Sequence, residues 1–503
     1  MKNIVISLLS VVALSSTAFA QTSSDAYLFA NRQLSGTARY NGLSGAFGAL
    51  GGDLTAVSEN PAASAVFNSS YGSVTLASES RDYDTSYFGT TRSTDVSDID
   101  FNQIGAVLIF NSANEHSSLN KVALSFNYNK TADFDSEYTI VGRPTNTIGD
   151  FFAGQANGIA SSDLAVFDDE SLASAFVSVG NAFGAIGQQA FLGYQALLID
   201  ATAQGDDVTT FISASDGSNT IQDNRVRSSG SSGKLSFNLA AAYNSGLHLG
   251  GNINLHTLNR RKQTDFIEVN NIARIDYIVN EENTGAGFSA DFGLIYKVKD
   301  NLRLGLVYQT PTFFGITRTV DQFINVNFFE TDLEAAFSLD VDPQVAFEQD
   351  IYSLQTPSKL AASAAYIFGK KGLLSFEYST QDFSNTKYGS SFSGASEIND
   401  LIESTYKRVH SYKIGAEIRN QNWSFRGGFN GSTTPFEDSN FEGDSSGFSL
   451  GTGYDWGKWK FDVAYNHSNL NSAEATFENA LHTNAANIEE NRDTVTATLG
   501  VNF

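Results

Sequence analysis

The chain of 503 residues contains no cysteine, which removes disulfides, thiolate nucleophiles and thiolate metal sites and suits passage through an oxidising compartment. Proline is rare, with six residues. Nowhere does an uninterrupted apolar stretch reach the roughly 18 residues that a spanning helix needs. Positive charge is scarce too: 31 Lys and Arg stand against 55 Asp and Glu, a formal net charge of −24, so the basic face that a nucleic-acid partner requires is missing. Many of the acidic residues fall in long connections and read as solvated surface. The six histidines, His116, His248, His256, His410, His467 and His482, form no triad and no HExxH pattern. His248 and His256 share a strand face but stand about 26 Å apart at roughly 3.3 Å per residue, too far to ligate one metal. Asp163, Asp168, Asp169 and Glu170 lack the spacing of a calcium loop. No catalysis, cofactor or resident metal is expected.

What the chain has is rhythm. Segments of about ten residues with alternating polarity lie at 71–80, 103–112, 121–132, 235–244, 247–258, 286–297, 302–311, 357–368, 371–380, 406–419, 422–430, 447–456, 458–468 and 493–503. Each is close to the 9 to 11 residues a tilted strand needs to cross hydrocarbon. Short connections alternate with long ones, as in an antiparallel barrel with short periplasmic turns and long external loops. The expected fold is therefore an all-β membrane protein, a 14-stranded antiparallel barrel spanning residues 71–503, with residues 133–234 as a long, partly helical external loop. Both termini are expected on the periplasmic side, and a barrel that closes its own edges is expected as a monomer among outer-membrane lipid. At the start, Lys2, the apolar run 4–13 and Ala18-Phe19-Ala20 read as a secretory signal covering residues 1–20.

Period two sorts each strand into a lipid face and a lumen face. Val495, Ala497, Leu499, Val501 and Phe503 oppose Thr494, Thr496, Thr498, Gly500 and Asn502; Trp459, Phe461, Val463 and Tyr465 oppose Lys460, Asp462, Ala464 and Asn466. Tyr71, Tyr128, Tyr308, Tyr378, Trp423, Trp459 and Tyr465 fall where aromatic girdles sit. The lumen then carries mixed charge, including Arg303, Glu377, Lys413, Glu417, Arg419 and Arg426, residues that pair with one another or hold a plug. Residues 21–70 do not read as strands, and their glycines, Gly42, Gly45, Gly48, Gly51 and Gly52, suit tight packing inside a barrel too wide for its own side chains to fill. A phosphate-cradling loop is a poor alternative, because the GxGxxG spacing and a following Gly-Lys-Ser/Thr are missing.

The stretch GLSGAFGALGGDLTAVSENPAASAVF, residues 42–67, resembles the N-terminal hatch of the FadL/TodX family of outer-membrane transporters, through Gly45-Ala46, Asp53 and Asn60-Pro61-Ala62, and LRLGLVYQTP at 302–311 is similar to a strand common in that family. Ala63 departs from the pattern, where glycine often follows the Asn-Pro-Ala triplet. The resemblance implies a hatch over residues 21–70 gated through Gly45, Asp53, Asn60, Pro61 and Ala62. It also implies passive uptake of a hydrophobic small molecule, a fatty acid or aromatic hydrocarbon, captured outside, passed to the lumen and often released sideways through the wall. Apolar residues at three- and four-residue spacing in loop 133–234, with others in loop 312–356, offer a groove to which Phe167, Phe176, Phe183, Phe191, Phe313 and Phe314 are assigned. A second role stays open: a barrel of this fold that binds protein cargo in secretion or acts as a surface adhesin.

Overall fold

Alternating lipid-facing and lumen-facing residues drive the chain into a closed sheet, because in hydrocarbon every backbone donor and acceptor must find its partner on a neighbouring strand. The computed structural model describes residues 23–113, 117–205, 207–330, 335–348, 351–390, 394–477 and 485–503; the expected signal segment, His116 and His482 lie outside them. Fourteen antiparallel strands form the barrel: β1 (Tyr71–Tyr87), β2 (Thr90–Asn111), β3 (Leu119–Asp133), β4 (Ile221–Tyr243), β5 (Leu247–Val269), β6 (Ala273–Lys299), β7 (Leu302–Gln309), β8 (Lys359–Ile367), β9 (Gly372–Asp382), β10 (Arg408–Asn420), β11 (Trp423–Ser432), β12 (Ser445–Asp455), β13 (Trp459–Ala475) and β14 (Ala485–Asn502). Each pairs with the next, and β14 returns to β1 from Asn502↔Tyr71 to Asn487↔Ser86, closing the ring. Among the described residues no helix is long and apolar enough to cross a membrane.

The expected faces are the observed ones. Thr496 and Thr498 are buried inside, whereas Val495, Leu499 and Phe503 stand exposed on the outer surface; Leu304, Leu306 and Tyr308 point out while Val307 and Gln309 point in. Aromatic pairs mark the belt, with Tyr128 stacked on Phe101 at 6.2 Å and Trp423 edge-on to Tyr454 at 4.9 Å. One girdle assignment is corrected. Val74 and Leu76 take the outer face of β1, so Tyr71 falls on the opposite phase and turns inward, where it stacks on Phe67 at 5.6 Å and lies beneath the ammonium of Lys460.

The stretches 81–102 and 259–285, expected as external loops, are strand instead. β1 and β2 pair out to Tyr87↔Thr90 around Phe88-Gly89, both with positive φ (46° and 76°), the backbone that a tight hairpin demands. β5 and β6 pair out to Val269↔Arg274, and a strand at Phe313–Phe328 continues the wall beyond Pro311 by pairing with β6 from Phe288 to Ala273. Above the lipid belt the outward phase turns polar, as at Arg274, Asp276, Asn325 and Asn327, so the apolar-outward alternation of a membrane strand is lost even where Ile275, Tyr277, Ile324 and Val326 keep the inner phase apolar.

Inside the barrel lie the helices α1 (Ser23–Ala30), α2 (Ala38–Asn41) and α3 (Leu54–Glu59), followed by a 3-10 turn at Pro61–Val66. At the long-loop end α4 (Ile148–Ala156) and α5 (Leu172–Gln195) pack onto Phe266, Ile275, Tyr277, Ile324 and Val326 of the extended wall. Gly184, at φ 66°, breaks α5 into a helical hairpin that brings Phe176 to 6.0 Å from Phe191. A last helix, α6 (Ala395–Thr405), borders α1.

Candidate functional site

The segment from Thr37 to Phe67 is built around two side-chain caps. Asp53 accepts from the backbone N–H of Thr55 and Ala56 at 2.9 and 3.3 Å and from the Thr37 hydroxyl at 2.7 Å, which starts α3 and ties it to α2. Asn60 accepts from Ala62 N–H at 3.1 Å, while its amide nitrogen donates to the carbonyls of Gly48 (2.6 Å) and Leu294 (3.3 Å), the latter on the barrel wall. Pro61 opens the 3-10 turn, where its missing N–H costs nothing. Inward side chains of the wall capture the segment's free carbonyls: Asn127 that of Leu54 (2.9 Å), Asn252 that of Val57 (2.9 Å), Lys234 that of Ser58 (2.6 Å) and Asn238 that of Pro61 (2.9 Å).

Close approach is made possible by glycines on the inner face of the wall. A Cβ at Gly293 would lie 2.0 Å from Asn60 Oδ1; at Gly250, 2.4 Å from the Pro61 carbonyl; at Gly305, 2.4 Å from the Gly48 carbonyl; and at Gly428, 2.6 Å from the Leu43 carbonyl carbon. Gly45, at φ 74°, reverses the chain between α2 and Phe47, and its neighbour Tyr40 is buried in the same cluster as Ala62.

The charged lumen residues converge on the segment from the other side. Glu417 is fully enclosed and receives Arg39 at 3.2 Å, Arg426 at 2.7 Å and Arg419 at 2.5 Å; Arg426 also reaches Asp462 at 2.6 Å. Glu377 accepts from Gly48 N–H at 2.9 Å and pairs with Lys413 at 3.3 Å, and Arg303 donates to the Leu50 carbonyl at 2.8 Å. All six of these assigned lumen residues therefore meet the segment or one another.

The six groove phenylalanines do not share one surface. Phe176 and Phe191 are enclosed in the α4/α5 cluster; Phe167 and Phe183 are exposed; Phe313 stacks on Phe288 at 5.5 Å on the outer wall; Phe314 faces inward against His256. A cavity of about 520 Å³ lies between α1 and the inner faces of β1, β3 to β5 and β8 to β14, and its lining mixes Ser379, Asn466, Lys413 and Arg492 with apolar side chains such as Leu28, Phe134, Phe383 and Val409. The lumen is thus not a continuous apolar tunnel.

Above the belt the wall has a weak seam between β2 and β3. The ladder between β2 and β3 ends at Gln103 opposite Asn129. Beyond it, side chains rather than backbone make the contacts: Lys130 of β3 reaches Asp100 of β2 at 2.6 Å, while from β1 Arg81 reaches Asp133 at 2.8 Å and Tyr83 packs on Tyr138, past the end of β3, at 5.5 Å. Asp98, Asp100, Asp133 and Asp135 each bring a carboxylate oxygen to this seam, within 4.8 Å of one another. Burial, and then the carboxylates of Asp133 and Asp100, push Asp98 up to about 7.

No protein-family model and no curated protein matches the sequence. Solved structures do match in shape: a Pseudomonas aeruginosa FadL homologue at 13% identity and TM-score 0.55, covering 94% of this chain and 100% of that one, and the Pseudomonas putida toluene transporter TodX at 11% identity and TM-score 0.50, covering 94% and 99%. The chain has the FadL-type fold. In this FadL-type barrel the hatch-like motif was legible in the sequence, but its docking surface was not. The signal was present all the same: Gly250, Gly293 and Gly305 sit on the polar phase of their strands, where a barrel wall gains nothing from a missing side chain unless another backbone approaches.

Proposed function

We propose that the chain is a channel of the Gram-negative outer membrane for passive uptake of hydrophobic small molecules, long-chain fatty acids or aromatic hydrocarbons, gated by the N-terminal segment acting as a hatch. The observation that carries this reading is a lumen filled by a separate segment, docked through polar contacts onto a glycine-lined wall and so able to move without unfolding the barrel. The short-turn rim, where Phe503 ends β14, faces the periplasm; the α4/α5 end faces outward and captures ligand. The site residues divide accordingly. Gly45, Asp53, Asn60, Pro61 and Ala62 shape the hatch, the charged lumen set holds it, and the exposed Phe167 and Phe183 stand where a ligand first arrives.

The test is uptake of a radiolabelled long-chain fatty acid and of toluene by cells carrying the protein as their only such channel. Wild type imports at least one, and Asn60→Ala with Pro61→Ala changes the rate while the barrel stays heat-stable; import that never exceeds that of empty-vector cells refutes the proposal. The hydroxyl, amide and charged groups in the cavity lining favour a second reading, binding of protein cargo or surface adhesion. Removal of residues 140–200 separates the two. Under the first reading, ligand capture disappears from a folded barrel.

A further inference from the structure

The chain is acidic, yet three neighbouring turns on the short-turn rim form a basic arc. Lys297, Lys299 and Arg303 flank the turn between β6 and β7, Lys370 and Lys371 lie in the turn between β8 and β9, and Arg419 stands at the end of β10. Backbone hydrogen bonds join the three, from Ile367 N–H to the Asn301 carbonyl and from Arg419 N–H to the Lys371 carbonyl, both at 2.8 Å. Asp300 is the single carboxylate within these turns, and Arg419 is taken by Glu417. Among the described residues no carboxylate makes an ion pair with Lys297, Lys299, Lys370 or Lys371, and the last three are exposed.

One pair in the arc is unfavourable as it stands. Lys297 is register partner to Arg303 and both lie on the inward phase of their strands, so two like charges stand opposite one another. Arg303 gives one nitrogen to the Leu50 carbonyl at 2.8 Å, and its Nε is buried with no hydrogen-bond partner. A carboxylate set between the two residues satisfies that Nε and offsets the repulsion.

Two observations favour a soluble occupant over lipid. Lipid surrounds the rim on every side, whereas the surplus charge is confined to one sector: the turn at 244–246 carries no charge, and Lys460 beside the turn between β12 and β13 pairs with Asp455 at 3.4 Å. In addition, Tyr296, Val298, Tyr366 and Phe368 hold the outward, lipid-facing phase, while Lys297, Lys299 and Arg303 take the phase that faces the mouth of the barrel.

We propose that this arc docks an acidic segment of a soluble periplasmic protein, and that docking draws Arg303 from Leu50 and loosens the hatch from below. The second step rests on the hatch-gated reading. A carboxylate holds a guanidinium more strongly than the neutral Leu50 carbonyl does, so the partner wins Arg303 and Leu50 loses its tie to β7.

The full chain in phosphatidylcholine nanodiscs is titrated with fluorescent hexaglutamate and hexaglutamine peptides, read by anisotropy and by amide exchange over residues 46–52. Hexaglutamate is expected to bind and to speed that exchange, and hexaglutamine to do neither. Lys299→Gln, Lys370→Gln and Lys371→Gln together, all at exposed positions, weaken hexaglutamate binding about tenfold, and raising the ionic strength from about 0.05 to about 0.5 M weakens it further. Arg303→Gln speeds exchange near Leu50 without any peptide. Should that variant fail to fold, the triple variant decides alone: hexaglutamate affinity unchanged there, or no tighter than that of hexaglutamine on wild type, overturns the proposal. If wild type retains phosphatidylglycerol in native mass spectrometry, the triple variant loses it and neither binds hexaglutamate, the arc belongs to lipid headgroups and the proposal falls. Binding that leaves exchange over residues 46–52 unchanged refutes the coupling to the hatch. Docking and loosening as expected, in a protein whose cells import neither fatty acid nor toluene, sink the uptake reading and leave the docking surface standing.

Discussion

Two parts of the N-terminal segment are held in the lumen by different means. Residues 37–66 are fastened by capping side chains, by inward Asn and Lys residues on the wall and by the Glu417 network, with wall glycines admitting their backbone to contact distance. Helix α1 is held by a 3.4 Å ion pair from Asp25, by the hydrogen bonds Tyr27 to Glu442 (2.9 Å) and Tyr406 to the Ser23 carbonyl (3.0 Å), and by packing of Ala26, Phe29 and Ala30 in an apolar cluster, with Tyr27 5.5 Å from Tyr406 and 5.1 Å from Phe383. One side of it borders the cavity. Under the proposed hatch reading, the difference means that opening need not be one event: α1 would leave first, while the body of the segment would keep the barrel shut.

The comparison breaks most completely if the body is undone. Glu417→Ala leaves Arg39 with the Gly52 carbonyl and Arg426 with Asp462 and Ser424 in a largely buried network, a loss of about 3 kcal/mol. Residues 37–66 should then exchange amide hydrogens quickly and planar-bilayer conductance should rise; a variant as closed as wild type contradicts the role given to this network. Gly293→Ala drives a methyl into Asn60 and should cost about 1 to 3 kcal/mol by overpacking, with the same readouts and smaller amplitude. Asn60→Ala gives up the cap and two carbonyl contacts for about 1 to 2 kcal/mol. In each of these, exchange in α1 should follow the body. In Asp25→Asn, by contrast, α1 alone should loosen and conductance should stay at the wild-type level.

Much of the barrel was legible because lipid imposes a strict code. Leu304, Leu306 and Tyr308 must be apolar and Gln309 must not, so alternation marks each strand through the belt. Where the same strands rise above the lipid the code lapses: Arg225 and Arg227 point outward around buried Val226, and the extension reads as loop. The hatch-like motif was visible as residue types, but the inward glycines of β5 to β7 are explained only by what lies against them. The groove assignment rested on helical periodicity, which records that a face is covered and not what covers it. Phe176 and Phe191 satisfy that periodicity by packing on each other.

The smallest expected effect sharpens the comparison by acting on α1 alone. Glu442 lies in the connection between β11 and β12; burial pushes its carboxyl up to about 7, opposed by the hydrogen bond it accepts from Tyr27. When α1 leaves and water reaches this carboxyl, it returns toward the ordinary glutamate range near 4.3. The docked state therefore holds a proton between these two values that the undocked state does not, and docking weakens as pH rises from about 4.3 to about 7. Mobility of a nitroxide label carried on Ser24→Cys should increase between pH about 4.5 and 7 and level off above, whereas exchange across residues 37–66 should stay flat. Glu442→Gln, which keeps an acceptor for Tyr27 but cannot ionise, should hold mobility at its low-pH value throughout. If Glu442→Gln leaves the pH response intact, another group governs it and α1 is not held through Tyr27; if residues 37–66 loosen in step with α1, the two parts move as one body and the ordered release of the segment is wrong.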